Sequence, residues 1–312
     1  MNLVIFGGSA NPPLAESIAD RLGVRLGRRI LTRFADSELN VELQDSVRGG
    51  DVYVVQPAGP PVDNHLMELF FIADASRRAG AARLTAVVPY FGYARQDRRA
   101  TGRDAVGARL AADLLATAGF DRIIAVDLHS SALEGFFAVP LEHLSAAALL
   151  ANAIQGGLRG DGIIVAPDLG AVKLAERYAD LLHLPMAIVH KTRLSGEAVK
   201  VKQIVGEAAG RTPVIVDDMI STGATIEAAT KALLAAGCAP DITVVATHAL
   251  LVGPAIERLA ALYLNRIVVT DSLAAPAQTA LPMQTVSLAP MLAEAITRLN
   301  VGESLNDLIG HR

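Results

Sequence analysis

The segment Val214-Ile-Val-Asp-Asp-Met-Ile-Ser-Thr-Gly-Ala-Thr225 packs several kinds of reactive group into twelve residues. An apolar run ends in two carboxylates, Asp217 and Asp218. Ser221, Thr222 and Thr225 then supply hydroxyls around Gly223 and Ala224. Hydroxyl and amide donors beside a glycine, at a helix start with its partial positive charge, suit a phosphate dianion. The two carboxylates can accept hydrogen bonds from a vicinal diol, so a phosphorylated pentose fits both halves. The plainer account is helix capping, since Asp, Ser and Thr are common at helix starts. Two adjacent acids after a wholly apolar strand, three hydroxyls and a glycine exceed what a cap requires.

Four other places carry chemistry. Lys191 and Arg193 lie two apart on an extended segment, which puts both on one face, and residues 194–200 have the composition of a loop able to close. Such cations suit the charge spread over a transferring phosphoryl group, although solvated surface charges are the commoner fate of Lys and Arg. Tyr93-Ala-Arg-Gln-Asp97 follows a strand and leads into Arg98, Arg99 and Arg103, cations suited to a polyphosphate, with a solvated face the plainer account of at least one. His129 and Asp168 end strands, where open sheets bind ligands. Of the two, a carboxylate is the commoner ligand-binding group for hard partners, and the imidazole the less usual one. A strand-end His is ordinarily a structural hydrogen-bonding residue, and His65, His143 and His248 are read that way.

The elements that must hold these groups follow a simple rhythm. Apolar β-branched runs at 3–6, 52–56, 84–90, 123–129, 163–168, 187–193, 214–219, 242–250 and 266–272 alternate with stretches of helical period. Runs without strict alternation are strands covered on both faces, so an α/β fold of mostly parallel sheets flanked by helices is expected. At 312 residues two domains are expected, 1–145 and 146–312. A short echo between residues 51–57 and 161–167, each an Asp, an apolar strand and a Pro, hints at duplication.

Composition excludes several classes. A net charge of -4 without a basic stripe argues against a nucleic-acid partner. No apolar run approaches the roughly 18 residues of a spanning helix, so no membrane partner is expected. One cysteine and a start without a basic, apolar leader point to a cytoplasmic protein.

The paired acids and Thr-Gly loop resemble the signature of the type I phosphoribosyltransferases. Phe34-Ala-Asp-Ser-Glu38, Asn64-His-Leu-Met-Glu68, Tyr93-Ala-Arg-Gln-Asp97, Asp127-Leu-His129, Gly135-Phe-Phe137, Pro167-Asp168 and His190-Lys-Thr-Arg193 narrow this. In order and spacing they resemble the ribose-phosphate diphosphokinases over nearly the whole chain. The resemblance implies two phosphoribosyltransferase-like domains, the first on the ATP side and the second with the ribose 5-phosphate loop. It implies Lys191 and Arg193 as catalytic side chains, and Arg95, Gln96, Asp97 and His129 as contacts to ATP. Phe34, Asp36 and Glu38 would reach the adenine from a neighbouring subunit, in a homo-oligomer that is at least a dimer. Asp168, Asp217, Asp218, Ser221, Thr222, Gly223, Ala224 and Thr225 would hold ribose 5-phosphate, and His129 and Asp168 a Mg2+ ion. A non-catalytic regulatory relative and a transferase consuming the diphosphate product are the alternatives. Retention of Lys191, Arg193, His129 and Asp168 stands against the first, and the Arg95–Asp97 loop against the second.

The chain departs from the pattern in three places. Many relatives carry Asp at Ser221 and Gly at Ala224. Residues 102–106 and 130–134 differ near the family's regulatory sites, so control by phosphate and ADP is not carried over. Asp168-Leu-Gly-Ala-Val-Lys173 lacks the usual Gly pair, which leaves Gly170 to supply any unusual backbone angle.

Overall fold

The computed structural model describes residues 2–158, 160–195, 198–276 and 279–309; the side chains of 191–202 lie outside the description. The chain divides into two compact units, the first made of Met1–Ser145, Ser272–Ala274 and Ser287–Arg312, the second of Ala146–Asp271 and Ala275–Val286.

In the first unit β1 (Leu3–Gly7) leads to α1 (Pro12–Arg21), whose start is fixed by the Asn11 side chain accepting from the Leu14 amide at 3.3 Å. An antiparallel hairpin of β2 (Arg29–Arg33) and β3 (Leu39–Leu43) follows, then β4 (Asp51–Val55), α2 (Val62–Arg78), β5 (Arg83–Val88), α3 (Gly107–Ala118), β6 (Arg122–Val126) and β7 (Leu141–Leu144). The five remaining strands form a parallel sheet in the order β1-β4-β5-β6-β7. Every residue of β4 is buried, as a strand covered on both faces requires.

The second unit opens with α4 (Ala147–Gln155) and β8 (Gly162–Ala166), then α5 (Val172–Leu182) and an antiparallel pair, β9 (Met186–Ser195) and β10 (Ala198–Val205). β11 (Thr212–Ile220), α6 (Ala224–Ala235), β12 (Thr243–Ala249), α7 (Ala255–Ala260), β13 (Arg266–Thr270) and β14 (Met283–Val286) complete it. The sheet runs β10-β9-β8-β11-β12-β13-β14, parallel except at β10. The last helix among the described residues is α8 (Ala289–Val301).

Both units therefore repeat one plan: a strand, an antiparallel hairpin, then four parallel strands. This topology matches β4 with β11 and β1 with β8. The echo at 51–57 and 161–167 instead aligns β4 with β8, so it reflects the shared composition of buried strands and not the register of the repeat.

Three sequence expectations need correction. Residues from Ser287 onward, assigned above to the second domain, pack with the first unit. There α8 buries Leu292, Ile296 and Leu299 on its apolar face, and Asn300 Nδ2 donates to the fully buried Asp51 at 2.8 Å. The expected loop at 194–200 is strand on both sides, up to Ser195 and from Ala198, with 196 and 197 outside the described residues. Gly170 does not adopt a left-handed angle. Its turn is made by the Asp168 carboxylate, which accepts from the Gly170 amide at 3.0 Å.

Candidate active site

The buried half of β11 delivers Asp217 and Asp218 to the carboxyl end of the second sheet, where both are half-buried. The strand continues to Ile220, so the acids lie inside it and not after it. Gly223 then turns the chain with φ +75° and begins α6. Two facts require glycine there: the left-handed angle, and α7 behind the loop, where an added Cβ would sit 3.3 Å from Leu259 Cγ.

The residue at the start of α6 is Gly223, which has no side chain of its own to cap the helix. The positive end of the helix therefore lies beside the hydroxyl-rich turn. Burial pushes the Asp217 carboxyl well above the usual carboxylate range, and the charges of Asp218 and then Asp168 add to the effect. Asp217 thus has two further acids near enough for it to feel their charge.

Asp168 follows β8 and leads into a short 3-10 turn at Leu169–Ala171. Among the described residues no group of three or more His, Cys, Asp or Glu side chains could hold a metal by itself. Magnesium fits such a site nonetheless, because it commonly binds through one or two carboxylates plus the phosphates of a substrate.

The candidates in the first unit are dispersed over three loops. Phe34, Asp36 and Glu38 lie in the exposed turn between β2 and β3, where the Phe34 amide donates to the Glu38 carbonyl at 2.9 Å and Asp36 Oδ1 accepts from the Glu38 amide at 3.1 Å. Phe34 is 57% exposed, so it is not the core aromatic that its residue type would suggest. Arg95 and Gln96 are exposed and Asp97 half-buried in the long connection after β5. His129 is exposed three residues beyond the end of β6.

The His129 loop is tied to β7. The Asp127 amide donates to the Leu144 carbonyl at 3.0 Å and the Leu128 amide to His143 Nε2 at 2.9 Å. With Nε2 accepting, the His143 proton is on Nδ1, 2.7 Å from Glu134 Oε1. His143 is thus the structural residue its sequence position suggested, and what it supports is a candidate ligand loop.

Lys191 and Arg193 are in β9, paired in register with Val201 and Val199 of β10; their side chains lie outside the described residues. Sequence reasoning missed Arg258 and Glu227. Arg258 on α7 donates to the Thr222 carbonyl and pairs with Glu227 in the first turn of α6. No local pattern marks Arg258, because it lies thirty-six positions from the loop it touches.

Residues 3–119 match the model of the N-terminal domain of ribose phosphate pyrophosphokinase, and residues 196–310 that of the phosphoribosyl synthetase-associated domain. The ribose-phosphate pyrophosphokinase of Bacillus subtilis (strain 168) is 41% identical over 308 residues, covering 98% of this chain and 97% of that one. The enzyme of the same name from Gloeobacter violaceus is 42% identical over 308 residues, covering 98% and 92%. The crystal structure of phosphoribosylpyrophosphate synthetase from Mycobacterium smegmatis superposes with a TM-score of 0.90 at 38% identity, covering 97% of this chain and 100% of that one. Likeness of this extent, along nearly the full length of each relative, shows that this chain belongs to the ribose-phosphate pyrophosphokinase family.

Proposed function

We propose that this enzyme transfers the β,γ-diphosphate of Mg·ATP to the 1-hydroxyl of ribose 5-phosphate, giving 5-phosphoribosyl 1-diphosphate and AMP. The observation that carries the proposal is the turn from β11 into α6, where two half-buried acids precede two hydroxyl residues and a left-handed glycine at the helix start. The 5-phosphate sits on Ser221, Thr222, Gly223, Ala224 and Thr225, and the ribose diol donates to Asp217 and Asp218.

The ribose O1 attacks the β-phosphorus in line. The bond from that phosphorus to the oxygen bridging to the α-phosphate breaks, AMP leaves with that oxygen, and the hydroxyl proton passes to solvent. A loose transition state lessens the need for a general base, and none is assigned. Lys191 and Arg193 stabilise the charge spread over the transferring group. Asp168, and by resemblance His129, would hold Mg2+, which when bound neutralises charge on the polyphosphate. Arg95, Gln96 and Asp97 take the nucleotide in the same subunit. Phe34, Asp36 and Glu38, exposed at a hairpin tip, reach the adenine of a neighbouring subunit in a homo-oligomer.

Phosphorus NMR of the purified protein with Mg2+, ATP and ribose 5-phosphate tests this. Equal formation of AMP and a new diphosphate ester is expected. No turnover would instead favour a non-catalytic relative, and turnover only from the diphosphate ester plus a base would favour a transferase.

A further inference from the structure

Four successive carbonyls around the phosphate turn are each held from behind. The Ile220 oxygen accepts from the Leu251 amide at 3.0 Å, the Ser221 oxygen from the Val252 amide at 3.1 Å, and the Gly223 oxygen from the Glu227 amide at 2.9 Å. The Thr222 oxygen, between them, accepts from Arg258 Nη1 at 2.6 Å. In a trans peptide the carbonyl of one residue and the amide of the next point in opposite directions. Anchoring these four oxygens therefore turns the amides of Ser221, Thr222, Gly223 and Ala224 toward the opposite side of the turn, as an anion-binding concavity requires.

Three of the four anchors are backbone groups and would form with almost any sequence. The fourth, at Thr222, comes from a side chain. Arg258 is itself fixed, with Nε 2.9 Å from Glu227 Oε2, while Glu227 Oε1 takes Lys231 Nζ at 2.6 Å. Arg258 is only 19% exposed, so its charge-assisted bond to the Thr222 carbonyl is partly shielded from water. A guanidinium can meet a carbonyl with one nitrogen and a carboxylate with another in one rigid geometry; an ammonium is a single point donor.

We propose that Arg258, held by Glu227, is a positioning residue for ribose 5-phosphate: by fixing the Thr222 carbonyl it aims the Gly223 amide at the 5-phosphate. The inference rests on the assignment of this turn to the sugar phosphate. It assigns Arg258 no contact with the substrate.

The test is steady-state kinetics of the full-length enzyme with each substrate varied in turn, on Arg258→Met, Arg258→Lys and the double variant Arg258→Met with Glu227→Gln. Losing one partly buried charged hydrogen bond should raise KM for ribose 5-phosphate about 10- to 100-fold, with KM for Mg·ATP changed less than about twofold. Arg258→Lys should recover part of the loss. The double variant should remain as impaired as Arg258→Met. Its recovery would mean that unmasking the Glu227 charge, and not the loss of positioning, caused the effect, which overturns the proposal. An unchanged KM for ribose 5-phosphate, or equal increases for both substrates, would also overturn it. Should Arg258→Met fail to fold, Arg258→Lys carries the same comparison. Thr225→Val separates the levels of the argument. If it too leaves KM for ribose 5-phosphate unchanged, the assignment of the turn fails; if it raises that KM and Arg258→Met does not, the positioning role alone fails.

Discussion

The connection after β4 in the first unit and the connection after β11 in the second occupy equivalent places in one strand plan, and both lead into a helix. Their chemistry is opposite. After β11 four successive backbone oxygens, from Ile220 to Gly223, are each taken by a donor. After β4 the sequence is Gln56-Pro-Ala-Gly-Pro-Pro61, in which three of six residues have no amide to offer. The amides of Gln56 and Ala58 are spent on the Val87 and Tyr90 carbonyls. The acid near this connection is also used internally. Glu68 accepts from the Ser9 amide at 2.9 Å, from the Ser9 hydroxyl at 2.7 Å and from Gln56 Nε2 at 2.6 Å, while Gln56 Oε1 takes the Ala10 amide at 3.0 Å. Two connections at one place in the strand plan thus differ in which of their backbone groups are already spent on partners.

The strongest way to break this contrast is to give the second loop a feature of the first. Gly223→Pro removes an amide and cannot adopt φ +75°; kcat/KM for ribose 5-phosphate should fall about 100-fold or more, measured by steady-state kinetics. The converse change is Gln56→Leu, which strips partners from Glu68 and the Ala10 amide in the first unit. It should cost about 1–3 kcal/mol of stability in denaturant titration and leave KM for ribose 5-phosphate unaltered. A shift in that KM would mean that the first loop also serves the sugar phosphate.

Asp217→Asn sharpens the contrast from the side of charge. Because burial raises the folded-state pKa of this acid, ionisation penalises the native state as pH rises above the usual carboxylate range. The neutral variant should therefore melt higher than the parent at neutral pH without ligands, by about 2–4 °C for each kcal/mol relieved. The difference should vanish once the pH falls below the range in which an unfolded Asp ionises. Its affinity for ribose 5-phosphate should drop at the same time. The smallest structural effect is expected at Phe34→Ala: with the side chain 57% exposed, stability should stay within about 0.5 kcal/mol. KM for ATP should rise, and an unchanged value would remove Phe34 from the adenine site.

Much of this architecture was legible from residues alone. Each of the nine apolar runs corresponds to a strand, because strands covered on both faces are apolar throughout. The strands that escaped notice, β2, β3, β7, β10 and β14, are short or form antiparallel hairpins. Two of them, β2 and β14, contain no buried residue at all, so their sequences lack a continuous apolar signal. The segment at 194–200 read as a loop because it mixes Ser195, Gly196, Glu197 and Lys200 with apolar residues, whereas the pairing of β9 with β10 is made by backbone bonds.

By itself the sequence determined the α/β class and marked the acids and hydroxyls of residues 217–225 as a candidate site, since each depends on contiguous residues whose hydropathy or donor chemistry is local. Only the tertiary structure decided that α8 returns to the first unit, that Glu134 and His143 hold the His129 loop, and that Arg258 holds the Thr222 carbonyl. Those contacts join residues far apart in the chain. An apolar stripe or a lone arginine records that a group needs a partner, but the partner is selected by how the chain packs.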